Sequence, residues 1–320
     1  MLTHLVADRR AWRASTIDDS RSWYHPLSER CLAALDDTIR QLRREPRPIT
    51  ELRVSDTQLA RFAEDLQPTL AALEAGRGFV ILKGLPGQRY TIDEQQVGYW
   101  LVGQLLGQPL VQNVQGTLLY DVRDTGEDVR YGARFSVTNA ETGFHTDNSF
   151  GEAVVDYVGL LCLQTARSGG RNQLVSVYAL HNELLTKHRD LLTMLYQPFH
   201  FDRRGGLRAG DAPTIQFPIL RWDGHELLCR YLRYWIEAGH EKAAQPLTAA
   251  QQETLAALEQ ELRNPELSVA FGLQPGEMFF INNRWLLHNR SAFEDHPEPE
   301  RRRHYVRLWL GRLSGDSAPN

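Results

Sequence analysis

The sequence predicts an α+β protein in which a core of strands is flanked by helices. Capped amphipathic segments dominate the first half of the chain, and short apolar runs closed by glycine or proline recur around the histidine-bearing stretches that follow. A third observation bears on organisation: no internal repeat, low-complexity segment or linker divides the 320 residues. The chain reads as one unit, 1–320, with a helical part over 1–76 packed on a core over 77–311, and a helical insertion around 178–263.

From Leu27 to Arg44 the apolar positions Leu32, Leu35, Ile39 and Leu42 share one helical face, and Pro46 and Pro48 end the helix. Ser55 with Gln58 forms a capping box for the next helix, in which Pro68 either introduces a kink or begins a second segment ending at Gly76. Gly78 to Pro86 is a short apolar run with the look of a buried strand. Thr91 with Glu94 opens another helix, which Gly107 ends. A strand over 116–122 leads into a polar loop from Arg123 to Ala140, long enough to act as a lid.

Further strands are expected over Ala153–Leu163 and Gln173–Val177, separated by a turn at Ser168-Gly169-Gly170. The composition of 178–192 reads as helix. Thr248 with Gln251 caps an amphipathic helix carrying Leu255, Leu258 and Leu262. Two strands, Glu277–Leu287 and His304–Leu310, close the pattern.

Composition removes several classes of function. A net charge of -4 carries no basic signature for nucleic acid or an anionic membrane surface. Cys31, Cys162 and Cys229 are odd in number and far apart, which fits buried thiols in a reducing cytoplasm rather than a disulfide framework. The opening stretch mixes Asp8, Arg9, Arg10, Arg13, Asp18, Asp19 and Arg21 among its apolar residues, unlike a leader, and no later segment approaches a membrane span. The expected location is cytoplasmic, the expected partner is a small molecule, and a homo-oligomer is compatible with the sequence.

The chemistry centres on Phe144-His145-Thr146-Asp147-Asn148-Ser149-Phe150. On an extended strand residues i and i+2 share a face, so His145 and Asp147 can reach one metal ion together. The same spacing occurs at His188-Arg189-Asp190, where a helix would set the two side chains about 200° apart. It occurs again at His200-Phe201-Asp202, where the following Arg203 and Arg204, in a flexible basic loop, would neutralise the carboxylate. His288, at the end of a strand that feeds it into an irregular segment, is the chosen third ligand. His181 and His188 sit on a helix, His225 in a turn, and His240 and His296 in polar loops. Two histidines and one carboxylate suit non-haem Fe(II).

Alternation along 303–310 places Arg303, Tyr305, Arg307 and Trp309 on one face and His304, Val306, Leu308 and Leu310 on the other. Two arginines pointing into a pocket beside a metal imply an anionic ligand.

Together Gly78–Pro86, Phe144-His145-Thr146-Asp147, Gly169-Gly170, Pro275-Gly276-Glu277, His288-Asn289-Arg290 and Arg303-x-x-x-Arg307 resemble the taurine-dioxygenase superfamily of Fe(II)/2-oxoglutarate-dependent oxygenases, which includes clavaminate-synthase-like enzymes. The resemblance implies a double-stranded β-helix (jelly-roll) core, with Fe(II) held by His145, Asp147 and His288. It also implies that Arg303 binds the distal carboxylate of 2-oxoglutarate, and that Arg307 assists or touches the substrate. Where the family commonly has a threonine or serine near the glycine pair this chain has Asn172, with Ser176 as the alternative contact. O2 is the second cosubstrate, and the implied reaction is hydroxylation of an unactivated C–H bond with release of succinate and CO2. Desaturation, cyclisation and epimerisation use the same ligands.

The substrate class expected is a small polar or anionic molecule, such as an amino acid, organic acid or natural-product intermediate, with Arg307 and Arg203 or Arg204 suited to its anion. Tyr120, Phe144, Phe150, Tyr178, Tyr196, Phe199, Tyr231, Tyr234 and Trp235 are available to line its pocket or the core. Two other readings compete: a non-catalytic jelly-roll binding protein, against which the complete set of ligands and Arg303 speaks, and a hydrolytic zinc enzyme, which has no need of a carboxylate-binding arginine.

Overall fold

Helices begin where the capping residues stand. Ser28 accepts from the Cys31 amide and opens Glu29–Arg44, while Ser55, Thr91 and Thr248 each form a reciprocal capping box and open Asp56–Glu74, Ile92–Leu106 and Ala249–Leu262. The structure is a computed structural model and describes residues 1–127, 135–204 and 210–313. The anticipated lid over 123–140 and the basic loop after Asp202 thus lie partly outside the described residues. Pro68 does not divide its helix, which runs unbroken from Asp56 to Glu74. Proline removes one backbone bond, and burial of Phe62 before it and Thr69, Ala72 and Leu73 after it keeps both halves on the same support.

Two sheets face each other as a jelly roll. The larger has seven strands, with Tyr24–Pro26, Phe79–Lys83, Met278–Asn282, Tyr157–Gln164, His304–Gly311 and Gln108–Leu110 in spatial order, and Leu119–Val122 also paired to His304–Gly311. The smaller has Ser268–Phe271, Asn172–Ser176 and Leu286–Arg290, with the central strand antiparallel to both neighbours. A single bridge between His145 and His288 adds one more residue to its edge. Between Asn172–Ser176 and Ser268–Phe271 the chain inserts the helices Val177–Lys187, Arg189–Met194, Arg233–Lys242 and Ala249–Leu262, together with two small hairpins.

Strand alternation sorts the core into two layers. Val80, Leu82, Leu161, Met278, Phe280, Val306, Leu308 and Leu310 pack against Leu35, Ile39, Phe62, Val97 and Leu101 of the N-terminal helices. Phe79, Ile81, Val158, Phe279, Tyr305 and Trp309 turn the other way, into the cluster that holds Leu174 of the smaller sheet, whose Leu287 faces the inserted helices. The alternation read for 305–310 therefore holds. His304 keeps to the Val306 face, where its imidazole pairs at 2.6 Å with Asp121, the residue opposite Val306 in the register.

Three local expectations change. The strand anticipated over Glu277–Leu287 is two strands in different sheets, Met278–Asn282 and Leu286–Arg290, so His288 lies inside a strand rather than in an irregular segment. The break is driven by Asn282, whose side chain accepts from the Arg284 amide, and by the buried Asn283. Second, His145 and Asp147 do not share a strand: His145 makes one bridge and Asp147 begins a turn in which Asn148 adopts φ 54°. Third, His240 is buried on Arg233–Lys242, where the His200 amide donates to its Nε2 at 3.2 Å.

Candidate active site

Backbone geometry places the two histidines first. The His145 amide donates to the His288 carbonyl and the His288 amide to the His145 carbonyl, both at 2.9 Å, so the residues sit side by side with ring centroids 4.2 Å apart. His145 Nδ1 lies 3.0 Å from the Gly143 carbonyl. A carbonyl only accepts, so Nδ1 carries the proton and Nε2 keeps its lone pair.

Asp147 is aimed by the turn. Its amide donates to Asn283 Oδ1 at 2.7 Å, and Asn283 Nδ2 donates back to the Asp147 carbonyl at 3.1 Å and to that of Val155 at 2.9 Å. The two carboxylate oxygens then have different neighbours. Oδ2 accepts from Trp309 Nε1 at 2.7 Å and faces Arg307 Nη1 at 3.1 Å. Oδ1 is 3.5 Å from His145 Nε2 and 3.6 Å from His288 Nε2.

The three donor atoms lie within 4.8 Å of one another, the single cluster of this kind among the described residues. Two imidazole nitrogens and one monodentate carboxylate oxygen converging in a cavity fit Fe(II) with positions left open. Electrostatics agree. Burial raises the Asp147 pKa, but the Arg307 guanidinium beside Oδ2 leads the groups that outweigh it and hold the carboxyl well below its ordinary range. Burial, then the neighbouring His145, pushes His288 down to about 4 despite the opposing pull of Asp147, so the ring is neutral and able to ligate near neutral pH.

The cavity that opens on this cluster encloses about 1000 Å³, its open mouth included. Arg303 lines it at 2% exposure, with its guanidinium 3.9 Å over the Tyr305 ring and 5.1 Å over Phe293. Its Nε and Nη1 have no hydrogen-bond partner among the described residues. Asn172 lines the same cavity with its Nδ2 unpartnered. Ser176, the alternative contact, is committed elsewhere: its hydroxyl donates to the Arg10 carbonyl and caps Val177–Lys187 through the Ala179 amide.

Arg307 also lines the cavity, yet its guanidinium is already engaged, with Nε donating to Gln112 Oε1 at 2.8 Å and Nη1 facing Asp147. Of the two arginines after Asp202, Arg204 reaches the cavity, stacked 3.9 Å over Trp235, while Arg203 turns to Glu152 at 3.1 Å. The other two His-x-Asp repeats are used structurally. His200 lies within hydrogen-bonding distance of Thr214, Gln216 and Gln245, Asp202 pairs with Lys242 at 2.8 Å and more loosely with Arg204 at 4.0 Å, and His188 joins two helices. Among the aromatic residues considered, Phe150 and Trp235 line the cavity, whereas Tyr178, Phe199 and Tyr231 belong to the core.

Sequence reasoning missed Trp309, Asn283 and Arg290. Trp309 shared the predicted face of Arg303 and Arg307, and Arg290 is two residues from His288, so the alternation rule carried a signal for both. Asn283 acts through side-chain bonds to residues 136 and 128 positions away, for which no local pattern exists.

A jelly roll that opens on two imidazoles and a carboxylate, beside a buried guanidinium with two nitrogens unpartnered among the described residues, defines a non-haem iron oxygenase with an anionic cosubstrate. The chain belongs to the taurine catabolism dioxygenase TauD, TfdA family, whose model matches residues 39–309, and it is accordingly an Fe(II)- and 2-oxoglutarate-dependent dioxygenase that consumes O2. It is similar to the FR-33289 synthase of Streptomyces rubellomurinus, 27% identical over 319 residues, covering 98% of this chain and 92% of that protein. A taurine hydroxylase-like protein of Stachybotrys chartarum is 24% identical over 313 residues, covering 94% of this chain and 78% of the other. Among solved structures, an asparagine oxygenase in complex with Fe(II), 3-hydroxyasparagine and succinate superposes with TM-score 0.70 at 18% identity, covering 90% of this chain and 93% of that one. No helix among the described residues is long and apolar enough to cross a membrane.

Proposed function

We propose that this enzyme hydroxylates an unactivated C–H bond of a small molecule carrying an anionic group, with Fe(II) held by His145, Asp147 and His288 and the distal carboxylate of 2-oxoglutarate held by Arg303 and Asn172. The observation that carries the reading is Arg303: a guanidinium buried to 2% exposure, with two unpartnered nitrogens, lining the same cavity as the three donor atoms. An unpaired buried charge is costly unless an anion joins it. When Fe(II), 2-oxoglutarate and O2 are bound, one oxygen atom enters the substrate C–H bond and the other enters succinate, with CO2 released.

The chain's own residues prepare for this. Trp309 and Arg307 occupy Asp147 Oδ2, which leaves Oδ1 alone to ligate. The Gly143 carbonyl fixes the His145 tautomer with Nε2 inward. Arg204, which lines the cavity stacked on Trp235, is a second cation beside Arg307 that a substrate's anion could meet. The names of similar proteins support a polar or charged small substrate, since one is taurine hydroxylase-like and another is an asparagine oxygenase. The chain 1–320 works here as one oxygenase unit in the cytoplasm, a placement supported by three free, buried cysteines.

The test is anaerobic titration of the apo-protein with Fe(II) and then 2-oxoglutarate, followed by the weak visible charge-transfer band of the chelate. The band appears with wild type and disappears in His288→Ala. Its absence from folded wild-type protein overturns the reading.

A further inference from the structure

The three metal donors and Arg303 account for part of the cavity lining, but that lining holds more cationic hydrogen-bonding capacity than one arginine provides. Arg290 lines the cavity, 7% exposed, on the strand Leu286–Arg290. Its cross-strand partner in the register is Asn172. Its guanidinium lies 4.8 Å from the centre of the Phe293 ring, which Arg303 also approaches, at 5.1 Å. Gly170, with φ +65°, leaves the space beside Arg303: a Cβ there would stand 3.5 Å from Arg303 Nε.

Arg290, Arg303 and Asn172 thus line one cavity, Arg290 joined to Asn172 by the strand register and to Arg303 by the ring they share. Arg290 Nη2 donates to the Ala140 carbonyl, whereas its Nε is buried without a partner among the described residues. Asp124 and Asp295 lie within electrostatic reach of Arg290, but neither occupies that Nε, and Asp295 Oδ1 is taken by the Arg303 amide at 2.7 Å. Two adjacent buried cations are unfavourable until an anion lies between them. The unpartnered donors are Arg303 Nε, Arg303 Nη1, Arg290 Nε and Asn172 Nδ2. A carboxylate offers about four acceptor sites, which this set can fill.

We propose that Arg290 is a second binding residue for the distal carboxylate of 2-oxoglutarate, so that two guanidinium groups and the Asn172 amide grip the cosubstrate together. The inference rests on the proposed function, because it assigns the same part of the cavity lining to 2-oxoglutarate. Asn172 alone would replace a hydroxyl contact with an amide contact; the pairing with Arg290 adds a charge to that side of the carboxylate.

The experiment compares two ligands that differ only at the distal end. Anaerobic Fe(II)-loaded enzyme is titrated with 2-oxoglutarate and with 2-oxopentanoate, which carries a methyl group in place of the distal carboxylate, for wild type, Arg290→Gln, Arg290→Lys and Arg303→Gln. Arg290→Gln is expected to cut the preference for 2-oxoglutarate by about ten- to a hundredfold, the size of a lost charge-assisted hydrogen bond, with 2-oxopentanoate binding little changed. Arg290→Lys, which keeps the cation and loses the fork, falls between. If Arg290→Gln weakens both ligands by one factor, Arg290 merely holds the 140 segment and the inference is overturned. Should Arg290→Gln fail to fold, an Arg290→Lys enzyme with wild-type preference overturns it equally. Absence of the charge-transfer band from wild type is the separate failure of the proposed function, and loss of preference in Arg303→Gln alone leaves that function standing without Arg290.

Discussion

Trp309→Phe isolates the hydrogen bond that keeps Asp147 monodentate. Asp147 Oδ2 has two donors, Trp309 Nε1 at 2.7 Å and Arg307 Nη1 at 3.1 Å. Phenylalanine retains most of the ring's contacts in the inter-sheet core and removes only the shorter bond. A hydrogen bond to a charged group is worth about 1.5–3 kcal/mol. Arg307 remains to compensate in part, so the expected cost to metal binding lies at the lower end, near 1.4 kcal/mol or roughly tenfold in Kd. The assay is anaerobic competition of Fe(II) between the enzyme and a chelator of known affinity, with thermal unfolding of the apo-protein measured alongside to separate packing from ligation. With Oδ2 partly released, the carboxylate can swing toward bidentate binding, so the chelate band of 2-oxoglutarate should also weaken. An unchanged Fe(II) affinity in a folded variant would refute the reasoning and leave Trp309 as core alone.

Three further outcomes follow from the same geometry. Because 2-oxoglutarate supplies the missing anion to a buried cation, adding it should raise the melting temperature of wild type, by the equivalent of about 2.7 kcal/mol at a hundred times its Kd, and leave Arg303→Met unmoved in a dye-based melting assay. Gly239→Ala should destabilise the fold by about 1–3 kcal/mol in urea unfolding, since the new Cβ would meet the His200 carbonyl oxygen and the Phe201 carbonyl carbon, each at 2.6 Å, and backbone cannot step aside as a side chain can. The cysteines should resist a thiol reagent at pH 8 and react only after denaturation: all three are buried, and burial pushes the Cys162 thiol up to about 12, so the thiolate needed for reaction is scarce below that pH.

What could be read in advance depended on how local the determining interactions are. The capping boxes at Ser55, Thr91 and Thr248 close within three residues, and each appears in the structure where the sequence placed it. The facing of Tyr305, Arg307 and Trp309 follows from backbone alternation, which needs no partner to be known. The division of 277–290 into strands of different sheets was hidden because the apolar run has no glycine or proline inside it. Its one local sign is the Asn282-Asn283 pair, while the force that sets the turn comes from Asp147, Val155 and Asp156 far along the chain. The stretch around His145 misled in the opposite sense: its spacing suggested a strand, yet Asp147 reaches the histidines from a turn anchored by Asn283. Arg290 carries no local sign of its surroundings because these are Asn172 across the strand pair and Arg303 just before the strand His304–Gly311 of the other sheet.

The reciprocal backbone bonds between His145 and His288 give the three donors unequal tenure. The imidazoles are anchored by main-chain pairing that any residue at those positions would preserve, whereas the carboxylate arrives on a turn outside the ladder. A lineage could therefore exchange Asp147 for a smaller side chain and keep the histidine pair in place, opening a berth for an external anion beside Trp309 and Arg307. In that sense the site is modular: two corners are fixed by the architecture, and the third is open to chemical innovation.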